Sequence, residues 1–216
     1  MSTATYILFS LISFGASVIG AICGMGGGII IKPVLDASGA LSVSTISFLS
    51  GCTVLAMTSY SVLKSKLSGK SEIETRTAIP LAIGAACGGL FGKWLFDRIS
   101  AQFAEPDMIG AVQAASLFFI TLGTLIYTIK KNDIRTINVL NASVCMLIGS
   151  VLGVCSSFLG IGGGPINLVV LFFFFSMDTK RAAENSLYII LFSQMASLLS
   201  VMPHFIVPPD CKFAAF

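Results

Sequence analysis

Two short stretches, Gly24-Met25-Gly26-Gly27-Gly28 and Gly160-Ile161-Gly162-Gly163-Gly164, interrupt apolar sequence at matching places, 136 residues apart. Each follows a hydrophobic segment of membrane length and leads into another apolar run. Glycine loses more backbone freedom on ordering than any other residue, so both stretches break a continuous helix. Non-helical backbone is tolerated at membrane depth only where protein or a water-filled cavity surrounds it. The two breaks therefore predict an internal site, which is typical of a membrane transporter.

The composition of the chain places it in a lipid bilayer. Its 216 residues are 55% hydrophobic and 11% charged, with a mean hydropathy of +0.93, whereas soluble domains carry about 25% charged residues. The net charge of +3 is small and the basic residues lie in loops, which argues against a nucleic-acid partner. We expect an all-α, polytopic helical membrane protein that folds as one bundle.

Hydrophobic segments long enough to cross a bilayer predict about six spans. They cover residues 5–23, 41–63, 77–96, 108–129, 137–158 and 186–202. No basic residue precedes the first segment and no clear cleavage site follows it, so we expect a retained helix rather than a signal peptide. Two shorter apolar pieces, Ile29–Leu35 and Pro165–Met177, follow the glycine breaks and are predicted to be half-helices or re-entrant segments.

The charges in the connections between spans predict the orientation of the protein. Basic residues outnumber acidic ones in residues 64–76 and in the short loop near Lys130, whereas residues 97–107 are mainly acidic. Short cytoplasmic loops are enriched in lysine and arginine. We therefore expect both basic connections on the cytoplasmic side of a multi-pass protein of the cell inner membrane.

The matching glycine runs predict an incomplete internal duplication. The first unit covers residues 1–136, with four spans and a glycine-broken segment, and the second covers residues 137–216 and lacks its last two spans. Ser47 corresponds to Ser186 if the bridge before the last span is three residues longer than its counterpart. An offset of about four spans would make the units parallel rather than inverted repeats, and the sequence leaves both arrangements open.

The glycine runs also predict an anion site. A helix start offers backbone N–H groups without intrahelical partners and the positive end of the helix dipole, and so binds anions. Pro165 supports a helix start at the second run. The predicted substrate-binding glycines are Gly26, Gly27, Gly28, Gly162, Gly163 and Gly164. Close helix packing is the alternative role for such glycines, and we assign it to the small residues around Cys87.

Polar side chains near the glycine runs could complete the coordination of an anion. The candidates are Lys32, Ser47, Asn167, Asn185 and Ser186, with Ser50, Thr53, Ser193 and Gln194 on the same helices. Two alternatives stay open: Lys32 could snorkel to the membrane interface, and the serine hydroxyls could bond to their own helix backbone.

Enzymatic chemistry has no support in the sequence. It contains no P-loop, no nucleophile with a positioned base, and no CxxC or Cys/His cluster, so we expect no catalysis, no cofactor and no metal. The absence of a central Asp or Glu in any predicted span weakens a proton-driven mechanism. The six cysteines are expected to pack as small hydrophobes, with thiol chemistry at Cys23 and Cys155 as an alternative.

The run from Gly24 to Pro33, its second copy from Gly160 to Pro165, and the helix starts rich in serine and asparagine resemble the sulfite exporter TauE/SafE family. The resemblance covers about residues 10–202. It implies an inner-membrane transporter of small anions such as sulfite and sulfonates, with seven or eight spans built from a duplicated unit. Compared with that pattern the chain is shorter by two spans. A non-transporting or partner-dependent membrane subunit is therefore the alternative, and either a homo-oligomer or a partner chain fits it.

Overall fold

The computed structural model describes residues 3–39, 42–69, 71–100, 102, 106–131 and 133–201, and confirms the all-α architecture of a polytopic membrane protein in these ranges. The helices are α1 (Thr3–Cys23), α2 (Gly28–Ala37), α3 (Val43–Leu67), α4 (Thr75–Ser100), α5 (Pro106–Lys130), α6 (Ala142–Leu159), α7 (Gly164–Phe175) and α8 (Thr179–Val201).

Among the described residues, four helices are long and apolar enough to cross a membrane. Their apolar segments are Thr45–Leu67, Thr75–Ile99, Met108–Lys130 and Ala142–Leu159. Two shorter apolar helices, Ile7–Cys23 in α1 and Gly164–Phe175, accompany them. The short pieces expected after the glycine breaks are therefore the separate helices α2 and α7. Residue 202, the predicted end of the last span, lies outside the described residues.

The start of α6 differs from the prediction. The helix begins at Ala142 rather than at Ile137, because the Asn141 side chain caps it by accepting a hydrogen bond from the Ser143 N–H at 3.0 Å. The residues before Asn141 are not helical, and the Ile137 N–H donates to the Phe173 carbonyl of α7 at 2.7 Å. The backbone of these residues is therefore hydrogen-bonded to α7 and does not extend the α6 helix.

α6 and α7 form a re-entrant hairpin around the second glycine break. α6 ends at Gly160 in the left-handed region, with φ 65°, and α7 starts at Gly164. The hydrogen bond from Ile137 to Phe173 brings the end of α7 back to the end of the bundle where α6 begins. In the first half, Phe9 of α1 and Leu35 of α2 share one hydrophobic cluster, as a hairpin of the same kind requires.

α3 and α8 lie antiparallel at the centre of the bundle. Ser65, near the end of α3, donates to the Glu184 carboxylate near the start of α8 at 3.0 Å. A Cβ on Gly51, in the first half of α3, would lie 3.2 Å from the Gln194 side chain in the second half of α8. Of the two arrangements that the sequence leaves open, the antiparallel course of α3 and α8 favours inverted repeats. Each glycine hairpin returns to the side from which it starts, so α3, α4 and α5 are the three crossings that separate the two hairpins.

The start of α8 is clasped to the connection between α3 and α4. Residues 179–185, expected to be a bridge, are helical. The Glu184 carboxylate accepts from the Glu72 N–H at 2.9 Å, and Lys180 forms an ion pair with the Glu72 carboxylate at 2.6 Å. Arg181 pairs with Glu74 at 3.4 Å. These contacts, called the α8 clasp, hold the start of α8 against the connection between α3 and α4.

Asn185 belongs to the α8 clasp. Its side-chain oxygen accepts from the Glu74 N–H at 3.2 Å, and its amide donates to the carbonyls of Arg181 at 2.7 Å and Glu72 at 3.3 Å. The side chain was expected to bind substrate, but its donors and its acceptor are already used by backbone groups.

We expect Asn185→Ala to destabilise the protein, because it leaves buried backbone groups without partners at a cost of about 1–3 kcal/mol each. Asn138→Ala, at an exposed position before α6, is the matched control. Thermal unfolding of both purified variants checks this. An equal melting temperature for the two would show that the clasp hydrogen bonds do not stabilise the fold.

Glycines bring α4 and α6 into backbone contact. A Cβ on Gly84 would overlap the Met146 carbonyl, and one on Gly88 would overlap the Ser150 carbonyl. Small residues allow this close approach of membrane helices. The packing role expected for the residues around Cys87 is therefore confirmed for these two glycines.

Gly88→Ala is expected to lower the free energy of unfolding by about 1–3 kcal/mol, because the added methyl group has no space. Gly123→Ala in α5 is the control: a Cβ there meets nothing within 4 Å, so we expect no loss. Denaturant or thermal unfolding in detergent measures both. A Gly88 variant as stable as the Gly123 variant would contradict the close packing of α4 on α6.

Candidate functional site

The two glycine breaks lie directly against each other. A Cβ on Gly28 would lie 2.5 Å from the carbonyl oxygen of Ile161, and one on Gly164 would overlap the carbonyl oxygen of Met25. A shift of 136 residues converts Gly28 into Gly164 and Met25 into Ile161, so the two contacts are reciprocal. Reciprocal contacts of this kind are the mark of a two-fold axis. The structure thus brings the two predicted glycine sites together.

The glycine breaks contact the middle of both central helices. The Cβ position of Gly26 lies 3.6 Å from Ile190 and 3.8 Å from Val54, and that of Gly162 lies 2.9 Å from Val54 and 3.2 Å from Ile190. Val54 is central in α3 and Ile190 is central in α8. The breaks are therefore at half depth in the bundle, where protein surrounds their non-helical backbone, as the hydrocarbon core demands.

The reciprocal contacts extend to the first halves of α3 and α8. A Cβ on Gly24 would overlap Ala183, and one on Gly160 would lie 2.9 Å from the Ser47 hydroxyl. A shift of 136 residues converts Gly24 into Gly160 and Ser47 into Ala183, so these two contacts are also reciprocal. The same shift converts the first residue of α3 into the first residue of α8. Ser47 is therefore equivalent to Ala183. Its expected correspondence to Ser186 through a longer bridge is wrong.

Ser50 and Ser186 are the equivalent pair of serines. Each lies about one helical turn before the central residue, Val54 or Ile190, that touches both glycine breaks. Both side chains are 0% exposed. Neither hydroxyl has a hydrogen-bond partner among the described residues.

Eight other hydroxyls in the helices bond to the carbonyl one turn earlier in their own helix. These hydroxyls are on Ser17, Thr53, Thr58, Ser116, Thr121, Thr124, Thr128 and Ser150. Leaving a buried hydroxyl unpaired costs about 1–3 kcal/mol. The alternative that the candidate serines bond to their own backbone therefore does not hold for Ser50 and Ser186, whose hydroxyls are free to donate to a ligand.

The second glycine break has additional polar groups. Asn167 is 1% exposed, and its side-chain oxygen and nitrogen lie 3.0 and 3.1 Å from the Cβ position of Gly163. Ser156 lies on the other side of Gly163, with its Cβ at 3.2 Å. The Asn167 oxygen and the Ser156 hydroxyl have no partners within the described ranges. Gly163 is also the N-cap of α7 and provides no side-chain cap.

Lys32 crosses from the first half of the protein to the end of α6. Its side chain is 3% exposed, and its ammonium group donates to the Leu159 carbonyl at 2.8 Å, the Ser47 hydroxyl at 3.3 Å and the side-chain oxygen of Gln113. Leu159 is the last residue of α6, where the helix dipole is negative and favours a cation. All three ammonium donors are thus used, so Lys32 does not snorkel but anchors the second glycine break.

Gln113 is a site residue that sequence analysis missed. Its side-chain nitrogen donates to the Phe158 carbonyl at 2.6 Å, while its oxygen accepts from Lys32. The side chain is 2% exposed although α5 is otherwise mostly lipid-facing. The available signal was that Gln113 is the single amide side chain in this span.

Lys32→Met is expected to lower the free energy of unfolding by about 1–3 kcal/mol, because the Leu159 carbonyl and Gln113 lose their donor. Lys130→Met, at the exposed end of α5, is the control and should be neutral. Thermal unfolding of the purified variants distinguishes them. A Lys32 variant as stable as wild type would show that this lysine does not anchor the break.

Comparison with known proteins agrees with this architecture. A family model described as Sulfite exporter TauE/SafE matches residues 9–210, nearly the whole chain. The chain belongs to the sulfite exporter TauE/SafE family. The family consists of membrane transporters of sulfur-containing anions, so the protein is a multi-pass membrane protein of a transporter family. Neither the curated proteins nor the solved structures that were compared gave a match.

Proposed function

We propose that this chain moves a small anion, such as sulfite, a sulfonate or a related sulfur compound, across the cell inner membrane by alternating access. The main support is a pair of buried serines. Ser50 and Ser186, equivalent in the two halves, hold buried unpaired hydroxyls next to the place where the two glycine breaks meet.

The chemistry of the site suits an oxyanion. Hydroxyl and amide donors make stronger hydrogen bonds to a charged oxygen than to a neutral one. The starts of α2 and α7 add backbone N–H groups and the positive ends of two helix dipoles, and neither start has a side-chain cap. The Lys32 ammonium lies 3.3 Å from the Cβ position of Gly160 and lowers the cost of placing a negative charge nearby.

An arrangement of two inverted repeat units would allow alternating access to this site. The reciprocal contacts and the antiparallel course of α3 and α8 support two inverted units, residues 1–136 and 137–216. In transporters built from inverted repeats, substrate binds near the midplane at the repeat interface and one unit rocks against the other. The bound partners are then the anion and the surrounding lipid, and no catalysis is required. A homo-oligomer or a partner chain stays compatible with this mechanism.

Flux measurements in proteoliposomes that contain only this chain test the proposal. Radiolabelled sulfite and methanesulfonate should show saturable uptake and efflux, whereas protein-free liposomes should not. Folded protein without flux would overturn stand-alone transport and favour the non-transporting or partner-dependent subunit.

A further inference from the structure

Four buried serines lie between the second glycine break and the second half of α8. They are Ser156 and Ser157 at the end of α6 and Ser193 and Ser197 on α8. We propose that these serines, called the serine seam, form the path by which the anion passes between the central site and the end of the bundle where α8 finishes. The inference rests on the proposed function and specifies its route.

The serine seam begins at the central site. Ser156 contacts the Cβ position of Gly163, as described above, and its neighbour Ser157 lies within 2.5 Å, hydroxyl to hydroxyl, of Ser197. Ser197 also donates to the Gly89 carbonyl of α4 at 3.3 Å. Ser157 of α6, Ser197 of α8 and Gly89 of α4 thus meet at one place, and Ser156 precedes it along α6 beside the second glycine break.

The seam leads away from the α8 clasp. Ser193 and Ser197 follow the central Ile190 by about 4.5 and 10 Å along the axis of α8. The clasp lies at the opposite end of the same helix, around Glu184 and Asn185. The seam therefore runs from the centre of the bundle toward the end where α8 finishes, away from the clasp.

Two features favour a path over simple helix packing. The hydroxyls of Ser156 and Ser193 are buried and have no partner among the described residues, and Ser193 is 1% exposed. Gly89 faces this side, where its Cβ position lies 3.1 Å from the hydroxyls of Ser193 and Ser197. Packing alone needs small residues but not unpaired hydroxyls, which are costly in an apolar interior. A passing anion with its water would pair with them.

The reactivity of introduced cysteines tests the seam without measuring transport. In a variant whose native cysteines are replaced, Ser193→Cys and Ser197→Cys place thiols in the seam. Met195→Cys and Leu199→Cys place control thiols on the lipid-facing side of the same helix, where the native side chains are 41% and 55% exposed. The probe is an anionic, membrane-impermeant methanethiosulfonate applied to proteoliposomes. A thiol reacts as its thiolate, which apolar surroundings disfavour.

We expect the two seam thiols to react at least about tenfold faster than the two control thiols, and methanesulfonate to slow them. Equal rates at all four positions would overturn the seam. Flux measurements on the same proteoliposomes test anion transport separately from the serine seam. If the protein transports but the seam thiols react as slowly as the controls, the seam is not the route, and the transport function stands. If the seam thiols react fast but the protein shows no flux, the seam is a hydrated path, and stand-alone transport is excluded.

Discussion

Gly163→Leu is expected to abolish anion flux while leaving membrane insertion intact. Gly163 has φ 83°, a left-handed conformation that costs other L-residues about 1–2 kcal/mol. A leucine side chain would also enter the space beside Asn167, whose side-chain atoms lie 3.0 and 3.1 Å from the Cβ position. Both effects distort the start of α7, so the flux in proteoliposomes should fall by about a hundredfold or more, since a loss of about 3 kcal/mol in anion binding has that effect.

Gly123→Leu is the matched control for this substitution. Gly123 lies in α5, and a Cβ there meets nothing within 4 Å. It should therefore keep normal flux and normal insertion. If Gly163→Leu transports as well as the control does, the second glycine break does not form the site.

The double variant Ser50→Ala/Ser186→Ala is expected to weaken anion binding without destabilising the protein. Each lost hydroxyl removes a hydrogen bond to the anion worth about 1.5–3 kcal/mol, or roughly tenfold to a hundredfold in affinity. In the empty protein the same hydroxyls are buried without described partners, so their removal should leave the melting temperature unchanged or raise it. The KM for flux and the thermal unfolding of the purified variant measure the two effects.

Ser116→Ala is the control for the double variant. Its hydroxyl donates to the Val112 carbonyl of its own helix at 2.7 Å, so it is already paired in the fold. We expect an unchanged KM. A double variant that loses stability and keeps its KM would show that Ser50 and Ser186 have a structural role and do not meet the substrate.

The helices and the two breaks could be predicted because their signals are local. Glycine runs and hydrophobic segments of membrane length are visible in one dimension, and the structure places α2 and α7 where they were expected. Hydrophobicity alone predicts a start of α6 at Ile137, which is too early, because apolar residues also occur in non-helical backbone. Asn141, a good N-cap residue, was the more accurate signal.

The pairing of the candidate residues could not be predicted with the same accuracy. Ser47 and Ser186 were matched by residue type, but backbone contacts between the breaks relate Ser50 to Ser186. The roles of Asn185 and Lys32 depend on partners far away in sequence, Glu74 and Leu159, which a single sequence does not indicate. Local patterns therefore located the site, whereas long-range contacts decide which side chains line it.

Equilibrium binding of radiolabelled sulfite to the purified chain tests directly whether the two glycine breaks form an anion site. We expect saturable binding to wild type and to Ser116→Ala. Binding to Ser50→Ala/Ser186→Ala should be weaker by about a hundredfold or more, in a variant that unfolds at or above the wild-type temperature. Equal affinity for all three proteins would contradict a binding site between the two glycine breaks.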